Sequence, residues 1–108
     1  MKTHNEVEKN ILSMPGSFLD YPFGEEVAVY KAKNGKMFAL IQEGSDPVQL
    51  SLKCDPQLAQ LLRDKYESVQ PGYHLSKKHW NTIVLSGQLS DGGVKDLIRH
   101  SFELVNNT

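Results

Sequence analysis

The residues best suited to chemistry in this 108-residue chain lie in one stretch, from Pro71 to Leu85. The stretch contains two lysines, two histidines, a tyrosine and the only tryptophan, together with hydroxyl and amide side chains. No acidic residue occurs from Ser68 to Ser90. Lysine ammonium groups pair with phosphates, aromatic rings stack on bases, and neutral side chains donate to phosphate oxygens. This combination favours a surface that contacts a polyanion.

Seven side chains of the stretch carry a charge, a stacking face or a hydrogen-bond donor. They are Tyr73, His74, Ser76, Lys77, Lys78, His79 and Asn81. Protonation of the histidines is expected to strengthen polyanion binding below about pH 6.5. A structural alternative is an exposed lysine turn beside a core tryptophan, and for Trp80 itself we favour the core because tryptophan is mostly buried in small domains.

Other chemistries find less support in the sequence. Cys54 lies on the apolar phase of a strand, where a free cysteine is usually buried and inert. His74 and His79, even with His100 as a third ligand, match no standard zinc spacing. Neither a glycine-rich phosphate loop nor a pair of catalytic carboxylates is present. We therefore predict no catalytic residue, no metal and no cofactor, while a small-molecule or enzymatic site around His74 and His79 stays open as an alternative.

Composition bounds the class of protein. With 39% hydrophobic and 23% charged residues, the chain is typical of soluble globular proteins. Residues 1–108 suffice for one domain that buries a core without disulfides. A single cysteine and the lack of a membrane-length apolar run predict a cytoplasmic protein with no membrane partner. The net charge of −1 predicts that any polyanion binding is weak, local and salt-dependent.

The clearest structural prediction is a β-hairpin between Val27 and Ile41. Asn34 and Gly35 separate two strand-like runs and favour a two-residue type I′ turn, in which both residues have positive φ. The turn would set a series of cross-strand pairs: Lys33 with Lys36, Ala32 with Met37, Lys31 with Phe38, Tyr30 with Ala39 and Val29 with Leu40. Three lysines, Lys31, Lys33 and Lys36, would then share one face of the tip. They either protect an exposed edge or contact phosphates.

Further elements flank the hairpin. Helical spacing of apolar residues predicts a short helix over residues 4–13, followed by a turn-rich connection at residues 20–24. Alternation predicts a third strand over residues 48–54 that buries Cys54 and directs Lys53 outward. Asp55 and Pro56 are typical of a helix start, and we expect this second helix to end at Pro71-Gly72. Its expected buried stripe is Leu58, Leu61, Leu62 and Val69.

The last third of the chain predicts a strand and a helix. Residues 77–79 form either one helical turn after Ser76 or a tight strand connection, and a strand follows from Asn81 to Leu85. Ser90 is expected to cap a final amphipathic helix. Its buried face is predicted to comprise Val94, Leu97, Ile98, Ser101, Phe102 and Val105. The order of elements predicts an α+β domain in which helices cover an antiparallel sheet.

Several short motifs, in order along the chain, resemble one family of small bacterial proteins. They are Tyr21-Pro22-Phe23-Gly24, Tyr30-Lys31, Lys36-Met37-Phe38-Ala39, Leu52-Lys53-Cys54-Asp55-Pro56, Pro71-Gly72-Tyr73-His74, Lys77-Lys78-His79-Trp80-Asn81-Thr82 and His100-Ser101-Phe102-Glu103-Leu104-Val105. On these residues the chain resembles the MmcQ/YjbR family, whose members are described as DNA-binding.

The resemblance implies a two-layer α/β sandwich with the order α-β-β-β-α-β-β-α, similar to secretion chaperones and frataxin-like folds. It also implies a "double-wing" mode in which sheet and loop project onto DNA. We therefore predict a bacterial monomer that contacts DNA phosphates through the hairpin tip and the Tyr73–Asn81 segment. The alternative is a protein- or peptide-interaction module, because the implied fold resembles chaperones.

Overall fold

The computed structural model describes residues 1–106 and contains three helices and six strands. The helices are α1 (His4–Leu12), α2 (Pro56–Lys65) and α3 (Asp91–Asn106). The strands are β1 (Phe18–Asp20), β2 (Val27–Lys31), β3 (Met37–Gln42), β4 (Gln49–Lys53), β5 (Val69–Pro71) and β6 (Trp80–Val84). They form one antiparallel sheet in the order β1-β2-β3-β4-β6-β5.

The predicted fold class is confirmed: an α+β domain with helices on one face of an antiparallel sheet. The core between the layers joins Val7 and Ile11 of α1 to the inward face of α3 and to one phase of the strands. Alternation along each strand assigns these residues to a single face of the sheet. The structure contains one strand that was not predicted. This strand, β1, ends where the turn-rich connection begins and pairs with β2.

The opposite face of the sheet is called the open face below, and no helix within residues 1–106 covers it. Val29, Leu40 and Trp80 form a small buried cluster there, with Val27, Met37 and Leu75 packed against it. The prediction that Trp80 belongs to a core is confirmed. This core lies on the open face, and the loop between β5 and β6 covers part of it through Leu75.

The β2–β3 hairpin is present, but its predicted two-residue turn is wrong. Gly35 N donates to Ala32 O at 2.8 Å, Ala32 N donates to Lys36 O at 2.9 Å, and only Gly35 of the turn has a positive φ, at 85°. These bonds define a three-residue loop in which a type I turn is followed by a left-handed glycine. Lys33 therefore lies inside the loop, and the predicted pair of Lys33 with Lys36 does not form.

A bulge further changes the predicted register. Tyr30 pairs with Ala39 as expected, but Lys31 pairs with Met37, which leaves Phe38 as the extra residue. A bulge directs two consecutive side chains toward one face of a sheet. Phe38 consequently joins Ala39 on the helix side and packs edge-on against Phe102, with 5.2 Å between ring centroids.

The second helix is shorter than predicted. It ends at Lys65, and Val69–Pro71 forms strand β5 against β6. Asp55 caps its start as expected, since its carboxylate accepts from the backbone N–H groups of residues 57 and 58. The predicted stripe is partly wrong: Leu61 is 65% exposed, and Ala59 is the buried residue of the helix. Leu61 is exposed because α2 packs beside the edge strand β5 and not over the middle of the sheet.

The last helix matches its prediction closely. Ser90 Oγ accepts from Gly93 N at 3.0 Å, as expected of a cap. The expected buried face of α3 is confirmed except at Leu97, which is only partly buried. Within residues 1–106, no helix has the length and apolar character needed to cross a bilayer.

Candidate functional site

The loop between β5 and β6 forms a closed turn that is held mainly by its own backbone. Gly72 N donates to Trp80 O at 2.9 Å, and Trp80 N donates to Ser76 O at 2.9 Å. The second bond spans four residues, as in an α-helix. Of the two conformations left open by the sequence, residues 77–79 therefore adopt the helical turn. This turn directs the side chains of Lys77 and Lys78 into solvent.

Two residues of the loop, Gly72 and His74, have special backbone requirements. A Cβ atom on Gly72 would lie 2.7 Å from the Cβ of Trp80, so glycine is needed for close approach. His74 has a positive φ, at 58°. The His74 ring lies against Tyr73, with 4.1 Å between centroids. The close approach of Gly72 to Trp80 thus requires glycine at the start of the loop.

Arg63 of α2 anchors the loop from the helix side. Its guanidinium donates to Asn81 Oδ1 at 2.6 Å, to Trp80 O at 3.1 Å and to Lys77 O. Asn81 is 2% exposed, and its Nδ2 donates to Ala59 O at 3.3 Å. Asn81 therefore lies in the interior and is not available for the DNA contact that the sequence predicted.

Four cationic residues lie where this loop joins the sheet. Lys77 and Lys78 extend from the loop, Arg63 lies beneath it, and Lys53 stands opposite Trp80 in the β4–β6 ladder. Residues opposite each other in an antiparallel ladder share a face, so Lys53 projects from the open face. We call Lys53, Arg63, Lys77 and Lys78 the basic corner. Within residues 1–106, none of the four has a carboxylate oxygen within 4 Å.

Two members of the basic corner were absent from the predicted contact set. Lys53 was placed on the outward phase of its strand, but the pairing of β4 with β6 was not foreseen. Arg63 was overlooked because the predicted helix continued to Pro71-Gly72, which placed Arg63 mid-helix. Ser76 and His79, both predicted contacts, are exposed in the loop beside the corner.

The hairpin lysines have a different environment. Lys31 Nζ lies 2.9 Å from Asp20 Oδ2 on the neighbouring strand, and this hydrogen bond holds the pKa of Asp20 below its ordinary value. The stem of Lys33 packs over Gly16. The tip itself is tied down, because Asn34 Nδ2 donates to Val105 O at 2.9 Å. The structure thus does not gather the predicted hairpin lysines into one cluster of uncompensated charge.

A cleft of about 290 Å³ lies on the open face beside the loop. Its floor combines aliphatic and polar side chains of the sheet, and aromatic residues from two loops form its rim. The lining residues are Phe23, Val27, Leu40, Gln42, Gln49, Ser51, Tyr73, His74, Leu75 and Thr82. The cleft and the basic corner therefore share one loop, which contributes Tyr73 and His74 to the first and Lys77 and Lys78 to the second.

The remaining candidates for chemistry are dispersed. Burial raises the pKa of the Cys54 thiol to about 11, with a further contribution from Asp55, so the thiol is protonated at neutral pH. His100 Nε2 accepts from Asp55 N at 3.2 Å, apart from the loop histidines. No group of three histidine, cysteine or acidic side chains suited to a metal ion occurs within residues 1–106.

Together these features define a class of protein: a two-layer α+β domain with a cleft on its open sheet face and a basic corner at the β5–β6 loop. The chain belongs to the YjbR family, since the family model matches residues 12–104. It is 37% identical over 102 residues to the uncharacterized protein YbdF of Escherichia coli O157:H7, covering 94% of this chain and 83% of YbdF. It is 31% identical to the uncharacterized protein YyaQ of Bacillus subtilis strain 168, covering 97% and 99% of the two chains.

Solved structures show the same fold. The crystal structure of Deinococcus radiodurans protein DR2400, with a DUF419 domain, has a TM-score of 0.94 and 36% identity. The match covers 100% of this chain and 81% of DR2400. A crystal structure of a Pseudomonas syringae protein has a TM-score of 0.80 and 26% identity, covering 94% of this chain and 97% of that protein.

Proposed function

We propose that the protein is a cytoplasmic monomer that binds DNA weakly through the phosphate backbone, with the basic corner as its contact surface. Ammonium and guanidinium groups are the usual partners of phosphate oxygens in proteins that bind nucleic acids. The exposed donors of Ser76 and His79 lie beside the corner and would supply neutral or protonation-dependent contacts. The proposal narrows the predicted surface to the β5–β6 loop and its neighbours.

One observation carries this proposal. In a chain of net charge −1, four cations lie at one corner and none has a carboxylate partner within residues 1–106. Pairing with a carboxylate reduces the charge that a lysine presents to a ligand, as at Lys31. Lys77 and Lys78 remain exposed in a loop whose internal bonds are made by backbone atoms. A small patch of this kind suits weak binding that depends strongly on salt.

The test compares two double variants with the same change in net charge. Lys77→Ala/Lys78→Ala removes the exposed half of the corner, whereas Lys9→Ala/Lys95→Ala removes two exposed lysines from the helix layer. Fluorescence anisotropy with a labelled oligonucleotide would measure affinity over a series of salt concentrations. Each lost phosphate contact lowers the slope of log affinity against log salt by about 1, so the first variant should lose about 2.

The helix-layer variant should retain the wild-type slope and affinity to within about twofold, since its lysines lie outside the proposed contact surface. Equal affinity of both variants and the wild type would remove the basic corner from the binding surface. Binding that does not respond to salt would contradict a phosphate contact altogether and favour a protein partner.

A further inference from the structure

The cleft on the open face is built from elements that also hold the basic corner. Tyr73, His74 and Leu75 line the cleft, and Lys77 and Lys78 follow within a few residues of the same loop. A ligand that contacts the lysines with a phosphate can therefore place an attached group in the cleft. The two sites have complementary chemistry, since one is cationic and the other is largely apolar.

The rim of the cleft presents two aromatic side chains to solvent. Phe23 is 62% exposed and Tyr73 is 66% exposed, on loops that precede β2 and follow β5. Leu40 and Val27 form an aliphatic part of the floor. Exposed aromatic rings beside aliphatic side chains are suited to stacking on a planar ring. The volume of about 290 Å³ is at the small end for ligand pockets, which limits the occupant to one ring system.

Polar side chains that line the cleft can hydrogen-bond the edge of such a ring. Gln42 Nε2 donates to Glu26 O at 3.2 Å, which leaves its Oε1 as an acceptor. The Gln49 side chain is exposed at the cleft and brings both a donor and an acceptor. Ser51 and Thr82 are already committed, because their hydroxyls bond each other at 2.8 Å and Thr82 also accepts from Tyr73 N. Two amide side chains can therefore hydrogen-bond a heterocycle.

From these features we infer that the cleft binds one unpaired nucleobase of single-stranded nucleic acid while the basic corner holds a flanking phosphate. The inference rests on the proposed function and names the form of nucleic acid that the site recognises. A base within a duplex is stacked on both sides and paired at its edge, so it cannot enter the cleft without leaving the helix. Single strands offer bases that are free to stack on Tyr73 and Phe23.

The experiment uses the full chain and an oligonucleotide that contains one 2-aminopurine, offered as a single strand and as a duplex. Anisotropy gives the affinity for each form, and 2-aminopurine fluorescence reports stacking of the base. We expect the single strand to bind roughly tenfold more tightly than the duplex, with quenching of 2-aminopurine only in the single strand. The free 2-aminopurine nucleoside, which has no phosphate, should bind far more weakly than the oligonucleotide.

A pair of aromatic variants assigns the effect to the cleft. Tyr73→Ala removes one wall, and it should weaken single-strand binding roughly tenfold without changing duplex binding. Phe18→Ala is the matched control, since Phe18 is 42% exposed on β1 and does not line the cleft. Thermal unfolding of both variants checks that they are folded.

The outcomes separate this inference from the proposed function. Equal, salt-dependent binding of single strand and duplex, unaffected by Tyr73→Ala, would overturn the inference and leave the basic corner as a phosphate site. Absence of binding to either form at low salt would overturn the proposed function and the inference together. A free nucleoside that binds as tightly as the oligonucleotide would show that the cleft serves a small molecule, and would overturn the assignment to a strand.

Discussion

The hairpin tip (residues 31–36) and the β5–β6 loop (residues 72–79) have similar compositions but different roles in the fold. Each contains a glycine and at least two lysines, and both were predicted to contact phosphate. In the hairpin, Lys31 is paired with Asp20 and Asn34 is bonded to α3. In the β5–β6 loop, the bonds to the rest of the protein come from backbone atoms, including the Lys77 carbonyl.

The difference shows what makes a cationic loop available to a ligand. A lysine whose side chain bonds a carboxylate contributes to local structure and presents a reduced charge. A lysine whose carbonyl is bonded keeps its backbone fixed while its ammonium group remains in solvent. Arg63 creates the second situation at Lys77, and it adds its own charge to the corner.

The largest expected effect concerns the glycines of the two segments. Gly72→Ala should destabilise the protein by about 2–3 kcal/mol, because the new Cβ would overlap Trp80 in the sheet. Gly35→Ala in the hairpin meets no atom within 4 Å and should cost about 1 kcal/mol through its positive φ alone. Urea unfolding measures both changes.

Gly92→Ala is the control for this pair. Gly92 lies in the first turn of α3 with open space around it, so alanine should stabilise the helix by up to about 1 kcal/mol. If Gly72→Ala proved as stable as Gly92→Ala, the close packing of the β5–β6 loop against Trp80 would be incorrect.

A smaller effect is expected when the anchor of the loop is replaced without loss of charge. Arg63→Lys retains the cation but cannot reproduce the guanidinium fork that reaches Asn81 Oδ1 and two carbonyls. We expect a loss of about 1–2 kcal/mol in the free energy of unfolding. Amide hydrogen exchange should also increase in residues 76–81.

Arg99→Lys on the exposed face of α3 is the matched control and should leave both measurements unchanged. Unaltered exchange in the loop of the Arg63→Lys protein would show that backbone bonds alone hold the β5–β6 loop. Arg63 would then not distinguish this loop from the hairpin tip.

The smallest effect is expected at the hairpin ion pair, and it depends on pH. The pKa of Asp20 is lowered by its hydrogen bond from Lys31, so the carboxylate is favoured in the folded state. The stabilisation is therefore complete above the unfolded pKa of aspartate and is lost as the pH falls through the lower folded value. Between about pH 6 and pH 3, which roughly brackets this loss, the wild type should lose more stability than Asp20→Asn does.

The same variant sharpens the functional comparison. Asp20→Asn releases the charge of Lys31 without altering the basic corner, so DNA affinity should change by less than about twofold. A large gain in affinity for Asp20→Asn would show that the hairpin belongs to the binding surface and would restore the wider surface that the sequence predicted.

Local sequence signals predicted the parts of the fold that depend on neighbouring residues. Asp55 and Ser90 cap helices where expected, since a cap requires only a side-chain oxygen and the next few N–H groups. Alternation placed Cys54 on a buried phase and Lys53 on an outward one. The hairpin was found, but its turn type was not. A left-handed glycine at position 35 suits both a type I′ turn and the observed three-residue loop, so Gly35 does not distinguish them.

The candidate site depended on contacts between residues distant in sequence. The pairing of β4 with β6 places Lys53 beside the β5–β6 loop, and the end of α2 at Lys65 brings Arg63 beneath that loop. Neither relation has a local signal. Asn81 also lacks a local signal for its burial. Its amide suits a phosphate contact by residue type, but the fold buries it against Arg63 and Ala59.

By itself, the sequence determined the fold class, the caps and the presence of an acid-free cationic segment, because these follow from residue type and short spacing. The tertiary structure decided which cations keep their charge and where the open face forms a cleft. The physical reason is that an ammonium group is compensated, or left free, by whichever strand or helix is packed beside it, and that neighbour is set by strand order and register.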